Sequence, residues 1–165
     1  MKSNSEALSS IFGNRLRLRV CGILVENEKI LLVKHKYIGN QGILWAPPGG
    51  GMKFNQSAEG NLKREFLEET GLLVSVEKFL FVNEFINVPL HAVELFFKVR
   101  KEGGDLMTGI DPEMNGKEQI IESVEFLGQE ELNSISQDQL HNILHIEKNP
   151  MKIVSLKGFY HFYNL

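Results

Sequence analysis

Residues 46 to 72 constrain the fold more than any other stretch: Ala-Pro-Pro-Gly-Gly-Gly-Met-Lys-Phe-Asn-Gln-Ser-Ala-Glu-Gly-Asn-Leu-Lys-Arg-Glu-Phe-Leu-Glu-Glu-Thr-Gly-Leu. Pro47 and Pro48 stiffen the entry and remove backbone donors. Gly49, Gly50 and Gly51 let the backbone come close to another group. Ser57 suits the N-cap of a helix running to about Thr70, and Gly71 stands where a C′ glycine would. Ala58, Leu62 and Phe66 recur at i, i+4 and i+8, which predicts one apolar stripe. Glu65, Glu68 and Glu69 follow at i, i+3 and i+4, so three carboxylates share a flank beside it. Like charges at these spacings cost roughly 0.2–0.5 kcal/mol per pair. They also crowd the C-terminal half of the helix, where the dipole disfavours them. Lys63 and Arg64 offset part of this, and a hard divalent cation with oxygen ligands offsets more. Acidic helix faces are usually solvated surface. Here a glycine loop with bare carbonyls feeds straight into the acidic helix, which favours a site.

This stretch resembles the box of the Nudix hydrolases, G-x5-E-x7-R-E-U-x-E-E-x-G-U with U apolar. The pattern falls on Gly50, Gln56, Arg64, Glu65, Phe66, Glu68, Glu69, Gly71 and Leu72. Position 56 is Gln where the family has Glu, and the other eight positions match over 23 residues. The resemblance implies an α/β (α+β) fold: a mixed β-sheet between helices, with the box as a loop-helix-loop. It implies a hydrolase that uses Mg²⁺ or Mn²⁺ to cut the diphosphate joining a nucleoside diphosphate to another moiety. Carried over residue by residue, it makes Glu65, Glu68 and Glu69 metal ligands, adds the carbonyl of Gly49, and gives Arg64 a bracing role. Gln56 can still hydrogen-bond Arg64 but without charge, which implies a weaker brace.

The family often takes a further base or ligand glutamate from a late loop. Glu113 and Glu118 stand there, with plain surface charge as the alternative for each. Family members that cleave ADP-ribose often carry a proline at nearly the distance of Pro89 from the box, which favours an ADP-ribose-like substrate. Two other readings stay open. One is a nucleoside triphosphate pyrophosphohydrolase. The other is a Nudix-like module that binds a nucleotide without cleaving it, supported by Gln56.

The rest of the chain fits one domain over residues 1–165, with a leader at 1–13 and a tail at 147–165. A formal net charge of −3 argues against a general nucleic-acid surface and leaves room for a local basic pocket. The single cysteine, Cys21, allows no internal disulfide framework, which suits a reducing cytoplasm. No signal-peptide core and no membrane-length apolar run is visible, so no membrane partner is expected.

Arg15 to Val25 alternates and then turns continuously apolar, which predicts a strand that begins exposed and ends buried. Arg15, Arg17 and Arg19 are either a solvated strand face or contacts to a phosphate or carboxylate of the ligand. Lys29 to Lys36 predicts a second strand. Trp45 is either a core plug or a pocket wall. Segments 72–76, 79–82 and 92–99 read as separate strands, with Pro89 marking a turn or edge. Residues 101 to 118 read as the longest loop, and 119–127 as the final sheet strand. Residues 130–146 read as short helices. The aromatic, β-prone tail can pack on the core or on a partner chain, and hints at a homodimer. His91, Phe85 and Tyr37 are candidates for a base pocket, with ordinary packing the simpler account.

Overall fold

The computed structural model describes residues 12–39, 41–110 and 119–164. Glu113 and Glu118 lie outside the described residues, as do residues 1–11 of the expected leader.

Alternation of apolar side chains builds two sheets. The first holds β1 (Arg15–Ile23), β5 (Gly49–Gly51), β6 (Leu72–Asn87), β7 (Leu90–Gly104) and β9 (Gly158–Asn164), in the order β5-β1-β7-β6-β9. It is mixed: β1 runs parallel to β7 and β6 parallel to β9, while β1–β5 and β6–β7 are antiparallel. In the second sheet β3 (Lys29–Lys36) pairs antiparallel with β2 (Val25–Glu26), β4 (Ile43–Ala46) and β8 (Ile121–Leu127).

The period of two sends alternate residues into two cores. Ile30 and Leu32 of β3 join Cys21, Ile23, Phe81 and Phe96 in one. Leu31 and Val33 join Val20, Leu24 and Val99 in the other. The long helix α1 (Ala58–Thr70) closes the second core with Leu62 and Phe66, both fully buried. Burying each is worth roughly 1.5–3 kcal/mol. The short helices α2 (Gln129–Ser134), α3 (Ile143–Ile146) and α4 (Pro150–Ile153) close the first, through Leu132, Ile143 and Ile153. The mixed α+β architecture implied by the box is therefore present, with helices on both outer sides.

Several boundaries differ from those expected. Segments 72–76 and 79–82 form one long strand, β6, whose register against β7 shifts at three places. Those bulges broke the alternation that would have marked a single strand. The loop after β7 begins later than residue 101, because pairing with β6 holds the chain as far as Gly104. Strand β8 is not the last one: the tail forms β9, parallel to β6 of the same chain. Trp45 is a core residue, 8% exposed. Among the described residues no helix is long and apolar enough to cross a membrane.

Candidate active site

Helix α1 starts and stops where its sequence dictates. The Ser57 hydroxyl accepts from the Gly60 N–H at 3.1 Å, and Gly71 adopts φ 73° while its N–H caps Leu67. Just before it, β5 lays the glycines against β1, pairing Gly51 with Arg19, Gly50 with Val20 and Gly49 with Cys21. Glycine is required here by close approach. A Cβ on Gly49 would stand 2.2 Å from the carbonyl oxygen of Val20, and one on Gly50 would stand 2.4 Å from the Glu65 carboxyl carbon. The missing side chains are what allow the helix carboxylates to lie on the glycine strand.

Two of the three glutamates are buried: Glu65 is 6% exposed and Glu69 5%. Glu69 accepts a hydrogen bond from the Gly49 N–H at 2.9 Å. Arg64 spans the other two, its Nη2 donating to Glu65 at 2.5 Å and its Nη1 to Glu68 at 2.6 Å. Arg64 also donates to Asn61 Oδ1 at 3.0 Å and, from Nε, to Gln56 Oε1 at 3.4 Å. Burial pushes the Glu65 carboxyl above its ordinary pKa, and the Arg64 guanidinium pulls it back part of the way. The like-charge cluster is thus held by one planar fork rather than left to water.

The donor set suits a hard divalent cation in chemical type: carboxylate oxygens on one helical turn beside glycine carbonyls. In this conformation, however, Arg64 and the Gly49 N–H occupy those carboxylates. Among the described residues no three Asp, Glu, His or Cys side chains surround one point.

A second buried cluster, not foreseen from the sequence, abuts the first. Glu94 of β7 is 5% exposed. It pairs with Arg19 Nε at 3.2 Å and with His141 Nε2 at 3.0 Å, and accepts from Asn83 Nδ2 at 2.8 Å. Burial works against its ionisation, but His141, Arg19 and Asn83 together hold its pKa down at about 2. Arg19 Nη2 also donates to the Gly49 carbonyl at 3.3 Å. The Gly49 residue is therefore gripped at its N–H by Glu69 and at its carbonyl by Arg19. In β7, Ala92, Glu94 and Phe96 form the buried set, opposite the half-buried Val93, Leu95 and Phe97.

His91 pairs with Glu84 at 3.1 Å, Tyr37 is about half exposed at φ 67°, and Phe85 is half-buried. After β7 the chain turns back along the end of α1, where the N–H groups of Met107, Gly109 and Ile110 donate to the carbonyls of Thr70, Glu69 and Glu68. That contact leads into the segment carrying Glu113 and Glu118.

Residues 15–145 match the NUDIX domain, and the chain belongs to that family. Among its relatives, an 8-oxo-dGTP diphosphatase of Buchnera aphidicola is 33% identical over 79 residues, covering 48% of this chain and 60% of the relative. An ADP-ribose pyrophosphatase of Methanocaldococcus jannaschii is 34% identical over 94 residues, covering 56% of this chain and 55% of the relative. The matched part is thus less than two thirds of either relative's length. A NUDIX hydrolase structure from Nitrosomonas europaea superposes with a TM-score of 0.69 at 17% identity, covering 87% of this chain and 93% of that one. That likeness concerns the fold.

Proposed function

We propose that this chain is a divalent-metal-dependent hydrolase of nucleoside diphosphate derivatives, with an ADP-ribose-like compound as the favoured substrate. The carrying observation is the placement of Glu65, Glu68 and Glu69 on one turn of α1, two of them buried against Gly49 and Gly50. The relative named ADP-ribose pyrophosphatase supports the substrate, as does Pro89, which lies in the turn between β6 and β7.

Glu65, Glu68, Glu69 and the Gly49 carbonyl would hold Mg²⁺ or Mn²⁺. Such an ion supplies charge neutralisation at the diphosphate and lowers the pKa of an attacking water. The chain's own residues do the rest. Arg64 keeps the carboxylates from splaying by its fork of hydrogen bonds. Glu69 and Arg19 fix the Gly49 peptide and so aim its carbonyl. Glu113 and Glu118 remain the proposed sources of a base from the loop before β8. The relative named 8-oxo-dGTP diphosphatase favours a second reading, cleavage of a nucleoside triphosphate.

The test is to incubate the protein and its Glu68→Gln and Glu69→Gln variants with Mg²⁺ and a panel of nucleoside diphosphate derivatives and triphosphates. The proposal expects turnover by wild type, fastest on ADP-ribose-like compounds, and a loss of about a hundredfold or more in each variant. Equal turnover by all three proteins would overturn it.

A further inference from the structure

Helix α1 ends in carbonyls that its own turns cannot satisfy, those of Leu67, Glu68, Glu69 and Thr70. Gly71 supplies one donor, its N–H reaching the Leu67 carbonyl at 3.0 Å. The other three come from the chain beyond β7. The N–H groups of Ile110, Gly109 and Met107 reach the carbonyls of Glu68, Glu69 and Thr70 at 3.2, 2.9 and 3.0 Å. Residues 105–110 thus form a strap that completes the helix end bearing two of the three site carboxylates.

Close approach fixes this strap. The pairing of Leu72 with Gly104 returns β7 to the point where the helix has just ended. A Cβ on Gly109 would overlap the Glu68 carbonyl oxygen and stand 2.6 Å from the Glu69 carbonyl carbon. Those neighbours are backbone and cannot swing aside, so a larger residue at 109 must displace the backbone of Glu68 and Glu69. Apolar burial does not account for the strap, because Leu106, Met107 and Ile110 are all exposed. The contact also meets an electrostatic need. Glu68 and Glu69 stand at the negative end of the helix dipole, and the last turn holds no basic residue. Three N–H donors supply partial positive charge where a lysine or arginine usually stands.

We infer that the strap, with Gly109 at its closest point, positions Glu68 and Glu69 for the divalent ion. Gly109 is a positioning residue: it touches the ligands' backbone and not the ion. The inference rests on the metal reading above and deepens it, by assigning the segment that sets where two of the ligands stand. Coupling of this kind is reciprocal: if the docked strap raises affinity for the ion, the ion holds the strap down by the same factor. A segment held by a few backbone hydrogen bonds opens more easily than the core, so that tightening can be measured.

The experiment follows Mn²⁺ uptake by electron paramagnetic resonance with methylenediphosphonate present. The proteins are wild type, Gly109→Ala, Ile110→Pro and, as control, Thr108→Ala, with circular dichroism to confirm folding. Gly109→Ala forces the ligands' backbone, Ile110→Pro removes the donor to Glu68, and Thr108→Ala keeps all three N–H groups. Gly109→Ala and Ile110→Pro should each weaken Mn²⁺ uptake at least about tenfold, and the control should bind like wild type. In the wild type, Mg²⁺ with the same diphosphonate should slow amide exchange at Met107, Gly109 and Ile110 about tenfold, read by nuclear magnetic resonance. Exchange in the edge strand β9 should stay as it was. Folded variants that take up Mn²⁺ within twofold of wild type would overturn the inference, as would strap amides that ignore Mg²⁺. Either result leaves the hydrolase reading standing. A wild type that takes up no Mn²⁺ would sink the metal reading and the inference with it. If both variants unfold, the exchange measurement on the wild type decides.

Discussion

Glu69 reaches back across 20 residues to accept a hydrogen bond from the backbone N–H of Gly49 at 2.9 Å. This bond joins the acidic helix to the glycine strand and fixes how far the Gly49 carbonyl can swing. Gly49 has φ 155°, and a Cβ there would collide with the Val20 carbonyl. Gly49→Ala should therefore destabilise by roughly 1–3 kcal/mol as backbone is forced apart. Glu69→Gln keeps an oxygen for the N–H and should cost far less stability while losing the charge. Thermal unfolding of both variants checks this, and an alanine variant as stable as wild type would contradict it.

Arg64 contacts two carboxylates, an asparagine and a glutamine at once. Lysine has no fork and cannot repeat that set. Arg64→Lys should lose about 1.5–3 kcal/mol, by the usual worth of hydrogen bonds to charged groups. Urea unfolding measures it. An unchanged midpoint would show that the fork is ornamental.

Gln56 touches Arg64 Nε at 3.4 Å, a long contact near the exposed rim. Gln56→Glu would add a charge to that contact. Because the pair is solvent-exposed, the gain should be no more than about 1 kcal/mol, or roughly 2–4 °C in Tm for a chain of this size. Differential scanning calorimetry of the single variant decides the sign.

The helix of the box was legible, but the glycine stretch before it, expected as a loop with bare carbonyls, is strand β5 paired with β1. Ser57, Gly71 and the Leu62–Phe66 stripe place the helix by rules that act within a turn or two. The β6–β7 hairpin was not legible as two long strands, because its bulges break the period of two. The Glu94 cluster was harder still. It joins β1, β7, β6 and the segment before α3, so its partners are far apart in sequence, and a lone glutamate among apolar residues reads as a solvent-facing position. Only the register Arg19↔Glu94 and the packing of His141 give it meaning.

That cluster predicts a pH dependence. Glu94 is held at about 2, below its ordinary 4.5, so its ionised form favours the folded state. The contribution is fully present above pH 4.5 and is lost as pH falls through 2. At most about 3 kcal/mol is involved, at 1.36 kcal/mol per pKa unit. Glu94→Gln should cost about 1.5–3 kcal/mol at pH 7 by taking the charged partner from the part-buried Arg19. It should also flatten the loss of stability between pH 4.5 and 2. Urea titrations at pH 7, 4 and 3 test both parts, and parallel curves for wild type and variant would refute the second.

The proposed hydrolase needs Glu65, Glu68 and Glu69, held here by Arg64 and the Gly49 N–H, to take a divalent ion beside Gly49. Manganese titration followed by electron paramagnetic resonance, with a diphosphate ligand present, tests it most directly. The account predicts saturable Mn²⁺ uptake by the wild type, weakened at least about tenfold in Glu68→Gln and Glu69→Gln, both still folded. No uptake by the wild type, or equal uptake by all three proteins, would contradict it.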